Sequence, residues 1–272
     1  MVKFSFEVPI AYLEKFDKVN DYHFILAHIL MNDNKYAQFY RKSSKFKILD
    51  NGAFELTKSI NFKVLCDLAI DFKVDVLVLP DTLMSKDDTL KKSLQALDYI
   101  VKRDMISKLD VMFVPQGRTL VEFITCIHDF IIQAPLPETY LYSKVILGLP
   151  YMTCAKICSF ISPKFPRRDD DATNARIYII QKYKELRKFR IHLLGAGENM
   201  TQEISFMRHY PNVMSVDTST PFILARNGIK LDKYGLYTRS SEQRLNFYEV
   251  FDECVLNLAI HNAKVIKRFG SI

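Results

Sequence analysis

Short runs of β-branched and aromatic residues recur along the chain, each followed by a longer stretch whose apolar residues fall at helical spacing. From residue 45 onward the runs Phe46 to Leu49, Val76 to Leu79, Val111 to Val114, Val145 to Leu147, Ile191 to Leu194 and Val213 to Val216 read as strands. Upstream, Phe24 to Ile29 gives a seventh strand, and Phe4 to Val8 gives an eighth or a plug across a barrel bottom. Strands alternating with helices predict an α/β fold with a parallel sheet, and a strand number near eight selects a single-domain (β/α)8 barrel of the TIM type over residues 1–272. An open doubly wound sheet is the alternative. Against it, no G-x-G-x-x-G follows the first strand, and Gly195 and Gly197 come after a late one.

Two stretches fall outside the simple alternation. Residues 162–190 contain PKFPRRDDD and then a basic helix with Lys182, Lys184, Arg187 and Lys188, which reads as a helical insertion between two barrel units. Ser240 to Arg268 has a helical pattern that would close the outer ring. The longest apolar runs, Tyr22 to Met31 and Val74 to Pro80, fall well short of the roughly 20 residues that span a bilayer. The first residues lack the apolar core of an export signal, so a soluble, cytoplasmic protein is expected, in the host cytoplasm if the chain is phage-encoded. Five scattered cysteines suit reduced thiols in that compartment. Lys and Arg outnumber Asp and Glu by 38 to 31, giving a net charge of +7 that permits a polyanionic partner.

In a parallel barrel the reactive groups gather at the carboxyl ends of the strands. Nearly every strand run here ends on a polar residue or glycine: Asp50 after FKIL, Asp81 after VLVLP, Gln116 after VMFVP, Gly148 after KVIL, Gly195 after IHLL and Asp217 after VMSV. One aspartate after one strand is most simply a helix cap. Three carboxylates and an amide on one rim point instead to a site that reads a polar, planar ligand and performs acid/base or nucleophilic work.

The segments around these positions resemble the motifs of the guanine transglycosylases, in the same order. LDNGAFE (Leu49 to Glu55) is similar to D-S-G-G-F-Q, VLPD ending at Asp81 to the second Asp motif, and VPQG (Val114 to Gly117) to V-Q-G. LGLP (Leu147 to Pro150) resembles the glycine-leucine segment and HLLGAGE (His192 to Glu198) resembles M-G-V-G-T-P-E. In VDTSTPFILARNG, Pro221, Ala225, Arg226 and Gly228 stand at the family offsets from Asp217. The resemblance covers residues 45 to 230 and leans toward the phage-type DNA 7-deazaguanine transglycosylases.

It implies a barrel enzyme that replaces guanine in DNA with a free 7-deazaguanine derivative, without a cofactor, and with tRNA as the alternative substrate. Asp217 would be the nucleophile forming a covalent glycosyl intermediate, and Asp50 the acid/base. Asp81, Gln116, Gly117, Gly148 and Leu149 would bind the base edge, with Phe54 and Leu194 sandwiching the ring after the base is flipped out. Arg167, Arg168, Lys184, Arg187, Lys188 and Arg226 are the candidates for phosphate contact.

The departures are specific. After Cys158 the sole cysteine is Cys254, so the C-x-C-x-x-C zinc module of the tRNA-acting members cannot be built, and no metal site is expected. Cys154 and Cys158 read as core. Ile223 stands where the family has Arg, and Glu55 where it has Gln. A catalytically silent nucleic-acid-binding subunit is one competing reading, and a glycoside hydrolase is another, although the absence of tryptophan and the guanine-like donor and acceptor set weigh against the latter. A homodimer is compatible with all of these.

Overall fold

A computed structural model describes residues 1–158, 171–197, 199–235 and 244–271. Eight strands are present: β1 (Lys3–Phe6), β2 (His23–Leu26), β3 (Lys47–Asp50), β4 (Val76–Val78), β5 (Asp110–Phe113), β6 (Val145–Pro150), β7 (Arg190–Leu194) and β8 (Val213–Thr218). All neighbouring strands are parallel, in the order β1-β8-β7-β6-β5-β4-β3-β2, with helices between them. The fold is thus a nearly closed (β/α)8 barrel. Strand residues such as Leu49, Val76, Leu77, Val111 and Ile191 are wholly buried, because side chains fill the inside and helices cover the outside.

The remaining joint, between β1 and β2, is made mainly by side chains. The Asp21 amide donates to the Phe4 carbonyl at 2.9 Å. Asp21 Oδ2 accepts from the Phe4 amide at 2.9 Å, Asn20 Oδ1 from the Phe6 amide at 2.8 Å, and Ser5 Oγ from the Phe24 amide at 2.9 Å. These polar atoms satisfy strand edges that would otherwise be buried without partners.

The helices begin where their sequences supply caps. Ser85 Oγ accepts from the Asp88 amide ahead of the helix Lys86–Lys102, and the Thr119 side chain accepts from the Glu122 amide ahead of Leu120–Gln133. Among the described residues no helix is long and apolar enough to cross a membrane.

Several expected boundaries shift. Phe4 to Val8 supplies a barrel strand rather than a plug, since β1 pairs with β8. The run Phe24 to Ile29 is a strand only to Leu26 and continues as the helix Ala27–Asn32. Asp50, Gly148 and Asp217 lie within β3, β6 and β8 rather than after them. The C-terminal helix runs from Glu253 to Gly270, starting at the Asp252 cap, while Ser240 lies outside the described residues. The basic segment is not one helix. Asp171–Lys182 is an α-helix with Ala172, Ala175, Arg176, Ile179 and Ile180 buried, and Lys184–Lys188 is a separate 3-10 turn that leads into β7.

Candidate active site

The carboxyl end of β3 turns sharply through LDNGAFE. Asp50 Oδ2 accepts from the Gly52 amide at 2.8 Å and Asn51 Oδ1 from the Ala53 amide at 2.7 Å, two successive side-chain turns that start the short helix Ala53–Leu56. Gly52 has φ 75°, a left-handed conformation that favours glycine. Burial raises the Asp50 carboxyl well above its ordinary value, the charges of Glu55, Asp81 and Asp217 push in the same direction, and the Gly52 amide opposes them. Glu55 is also raised, first by burial and then by Asp217. Its Oε2 atom is buried with no hydrogen-bond partner among the described residues.

The end of β4 leads to Asp81, which is buried in a network of amides. Its Oδ1 accepts from Asn51 Nδ2 at 2.8 Å and its Oδ2 from Gln116 Nε2 at 2.7 Å. Gln116 Oε1 accepts in turn from Thr153 Oγ1 at 2.6 Å and the Met84 amide at 3.2 Å. Both lone-pair directions of that oxygen are used, so the free valence of Gln116 is an N–H donor, while Asp81 keeps unused acceptor positions. Burial raises the Asp81 carboxyl, and the Asn51 and Gln116 hydrogen bonds counteract the rise.

Asp217 stands across the barrel mouth on β8. Its Oδ1 accepts from His192 Nε2 at 2.9 Å and from the Gly195 amide at 3.1 Å. The opposite ring nitrogen, His192 Nδ1, lies 2.8 Å from Ser215 Oγ. A register irregularity between β7 and β8 sets Ile191 beside Val213 but His192 beside Ser215, which aims the imidazole at the carboxylate. The ring is fully buried, stacked on Phe24 at 5.5 Å and 5°, and met edge-on by Tyr22 at 6.2 Å. Burial, and then the Asp217 charge, raises the Tyr22 hydroxyl well above its usual value.

The other anticipated residues are distributed as follows. Leu194 ends β7 half-buried, and a Cβ on Gly148 would lie 2.9 Å from its Cδ1 and 2.9 Å from Met112 Sδ, so Gly148 is required by packing as well as by any approaching ligand. A Cβ on Gly117 would meet the Phe123 amide nitrogen at 2.6 Å, which ties this glycine to the following helix. Leu149 is wholly buried, and its carbonyl accepts from Arg176 Nη1 at 3.1 Å. Phe54 is 40% exposed, with the Arg244 guanidinium 4.8 Å from its ring centre. Arg226 is half-buried and paired with Glu249 at 3.5 Å.

The basic turn is not brought to this site. Lys184, Arg187 and Lys188 precede β7 and so lie at the amino ends of the strands, opposite the carboxylates. Lys188 pairs with Glu138 at 3.1 Å, and Arg187 sits over Tyr210 at 5.8 Å. Arg167 and Arg168 lie outside the described residues, as does Glu198. Exposed cations that do follow strand ends include Lys58, Lys92, Arg118 and Arg244. Among the described residues no group of three or more His, Cys, Asp or Glu side chains is placed to hold a metal ion.

Sequence reading missed His192, Asn51, Thr153 and Arg244. His192 alone had a usable signal: it shares the two-residue alternation of β7 with Leu194, as Ser215 does with Asp217 on β8. Neither the protein-family models nor the curated proteins give a match to this chain.

Proposed function

We propose that this protein exchanges guanine in DNA for a 7-deazaguanine derivative through a glycosyl ester on Asp217. The observation that carries the reading is the contrast between its two carboxyls. Asp217 is held through one oxygen by His192 and Gly195, and among the described residues no donor engages Oδ2, which is left to attack. Asp50 is half-buried near other carboxylates, and desolvation together with the charges of Glu55, Asp81 and Asp217 raises its carboxyl well above the ordinary value, which favours the form that can donate.

In the first step Asp217 Oδ2 bonds to the anomeric carbon as the carbon–nitrogen bond to guanine breaks, and Asp50 gives its proton to the departing base. In the second step the incoming base loses its ring N–H proton to Asp50 and attacks the same carbon, releasing Asp217. Two inversions give retention, and the phosphodiester chain is untouched. Asp81 accepts from the donor edge of the base and Gln116 donates through its remaining N–H, while the Gly148 amide serves the carbonyl oxygen. That set matches a guanine-like edge better than a sugar hydroxyl array.

DNA rather than tRNA is favoured by the missing cysteine module, and the net charge of +7 is compatible with either polyanion. Given the placement of the basic turn, phosphate contact falls to the exposed rim cations Arg118 and Arg244. The test is incorporation of a labelled 7-deazaguanine into DNA and, in parallel, tRNA, by wild type and Asp217→Asn. Labelling of DNA alone, abolished by the substitution, is the expected result. Labelling of tRNA would overturn the substrate, and labelling of neither would overturn the enzymatic reading.

A further inference from the structure

Behind the site lies a fully buried ion pair that the reaction scheme does not use. Arg176, on the helix Asp171–Lys182, meets Glu203, on the helix Met200–Met207, in a two-pronged contact: Nε to Oε1 and Nη2 to Oε2, both at 2.7 Å. The third nitrogen, Nη1, is spread over three backbone carbonyls, Leu149 and Gly195 at 3.1 Å and Leu194 at 3.3 Å. Those carbonyls belong to the ends of β6 and β7, the two segments that flank the base slot.

Burying such a pair gives little stability relative to well-packed apolar residues. Its distinguishing feature is what the guanidinium holds. Gly195 offers its carbonyl to Arg176 and its amide to Asp217, and its φ of +68° orients the two peptide groups in a way few other residues tolerate. Leu149 is likewise adjacent to Gly148, whose amide would face the base.

We propose that Arg176, oriented by Glu203, is a positioning residue for the nucleophile: by clamping the Leu149, Leu194 and Gly195 carbonyls it sets the Gly195 amide on Asp217 and the width of the base slot. The inference rests on the exchange reading for its kinetic consequence but not for its geometry. A planar guanidinium reaches two carboxylate oxygens and three carbonyls at once, whereas a lysine ammonium retains the charge but has only three donors at a single point. Arg176→Lys therefore keeps the charge balance and loses the clamp.

The experiment combines kinetics with labelling by carbonyl-13C leucine and 15N glycine. This chain has only two Leu–Gly peptides, Leu147–Gly148 and Leu194–Gly195, so both loops are read in one spectrum. The Gly195 amide is identified as the resonance displaced by Asp217→Asn. In Arg176→Lys we expect that resonance to move, with kcat for base exchange reduced roughly 100-fold, the scale of a misplaced reactive group, and KM for DNA little changed. Glu203→Gln, which weakens the anchor while leaving the arginine in place, is the milder variant and carries the test if Arg176→Lys does not fold; it should move the same resonance with a smaller loss of kcat. An unmoved Gly195 resonance, or wild-type kcat in a folded variant of an active enzyme, would overturn the proposal. If wild type exchanges no base, the exchange reading fails, and the Gly195 resonance alone decides the role of Arg176.

Discussion

His192 donates from Nε2 to Oδ1 of Asp217 at 2.9 Å, inside a barrel where neither side chain is open to solvent. A carboxylate only accepts, so that nitrogen carries the proton, and the Ser215 hydroxyl beside Nδ1 can serve either as donor or as acceptor. The imidazole thus fixes the rotamer of Asp217 through Oδ1 and leaves Oδ2 unoccupied by it. Hydrogen bonds to a charged group are worth about 1.5–3 kcal/mol. His192→Ala should lower kcat roughly 10- to 100-fold while Asp217 remains in place. Single-turnover rates of base exchange check this, and an unaffected rate would remove His192 from the mechanism.

The two aspartates should separate in a trapping experiment. Denaturing electrophoresis of enzyme mixed with DNA should reveal a covalent protein–DNA species with wild type and none with Asp217→Asn. Asp50→Asn should form it slowly, with a loss on the order of 10²–10⁴ in rate for removal of the proton donor. A covalent species persisting in Asp217→Asn would assign the nucleophile elsewhere.

The raised Asp50 carboxyl carries a signed pH dependence. Its folded-state value lies above its unfolded one, so its contribution to stability is complete below the unfolded value, near pH 4, and is lost as pH rises through the folded value. Asp50→Asn removes that loss. Thermal melts should show the variant more stable than wild type at pH 7, by about 2–4 °C for each kcal/mol relieved, with the gap closing toward pH 4. The same variant should lose the limb of the kcat/KM profile that falls as Asp50 deprotonates. Equal melting temperatures at pH 7 would mean that Asp50 is not held protonated.

Asn51 should govern base affinity rather than turnover. It donates to Asp81 Oδ1 and to the Leu79 carbonyl, and Asn51→Ala leaves a buried carboxylate with one donor fewer. The Asp81 carboxyl then rises further and ceases to accept from the base. We expect KM for the free 7-deazaguanine to rise about tenfold, the worth of one such hydrogen bond, with kcat nearly preserved. Steady-state kinetics against the free base decide the matter.

Charge reversal should discriminate the two faces of the barrel. Arg118→Glu and Arg244→Glu, at the carboxyl rim, should weaken DNA binding and flatten its salt dependence. Arg187→Glu and Lys188→Glu, at the amino face, should not. Binding titrations across a salt series measure both, and the reverse pattern would place the nucleic acid on the far side of the barrel.

The architecture was legible because a parallel barrel repeats one signal, an apolar run ending in a polar residue. Asp50, Asp81, Gln116 and Asp217 stood out for that reason, and strand ends shifted mainly where polar residues such as Asp50 and Asp217 continue the ladder. His192 did not stand out, because one histidine in an apolar strand looks like core until the strand beside it is known. Arg176 and Glu203 lie 27 residues apart on separate helices, and no local pattern joins them. The basic turn marks a different limit: composition reports charge, but whether Arg187 and Lys188 precede or follow a strand determines which face they occupy.

The joint between β1 and β2 has a bearing on reaction geometry. Asp217 is in register with Ser5 on β1, and Asp50 with Leu26 on β2, so the attacking group and the proton donor sit on either side of the one place where the ring of strands is fastened largely by Ser5, Asn20 and Asp21. At every other joint the strands pair directly through their backbones, with one register shift between β7 and β8. Here three small polar side chains do the fastening in place of a ladder, so the stretch of wall that separates the two carboxyls depends on Ser5, Asn20 and Asp21 for its closure.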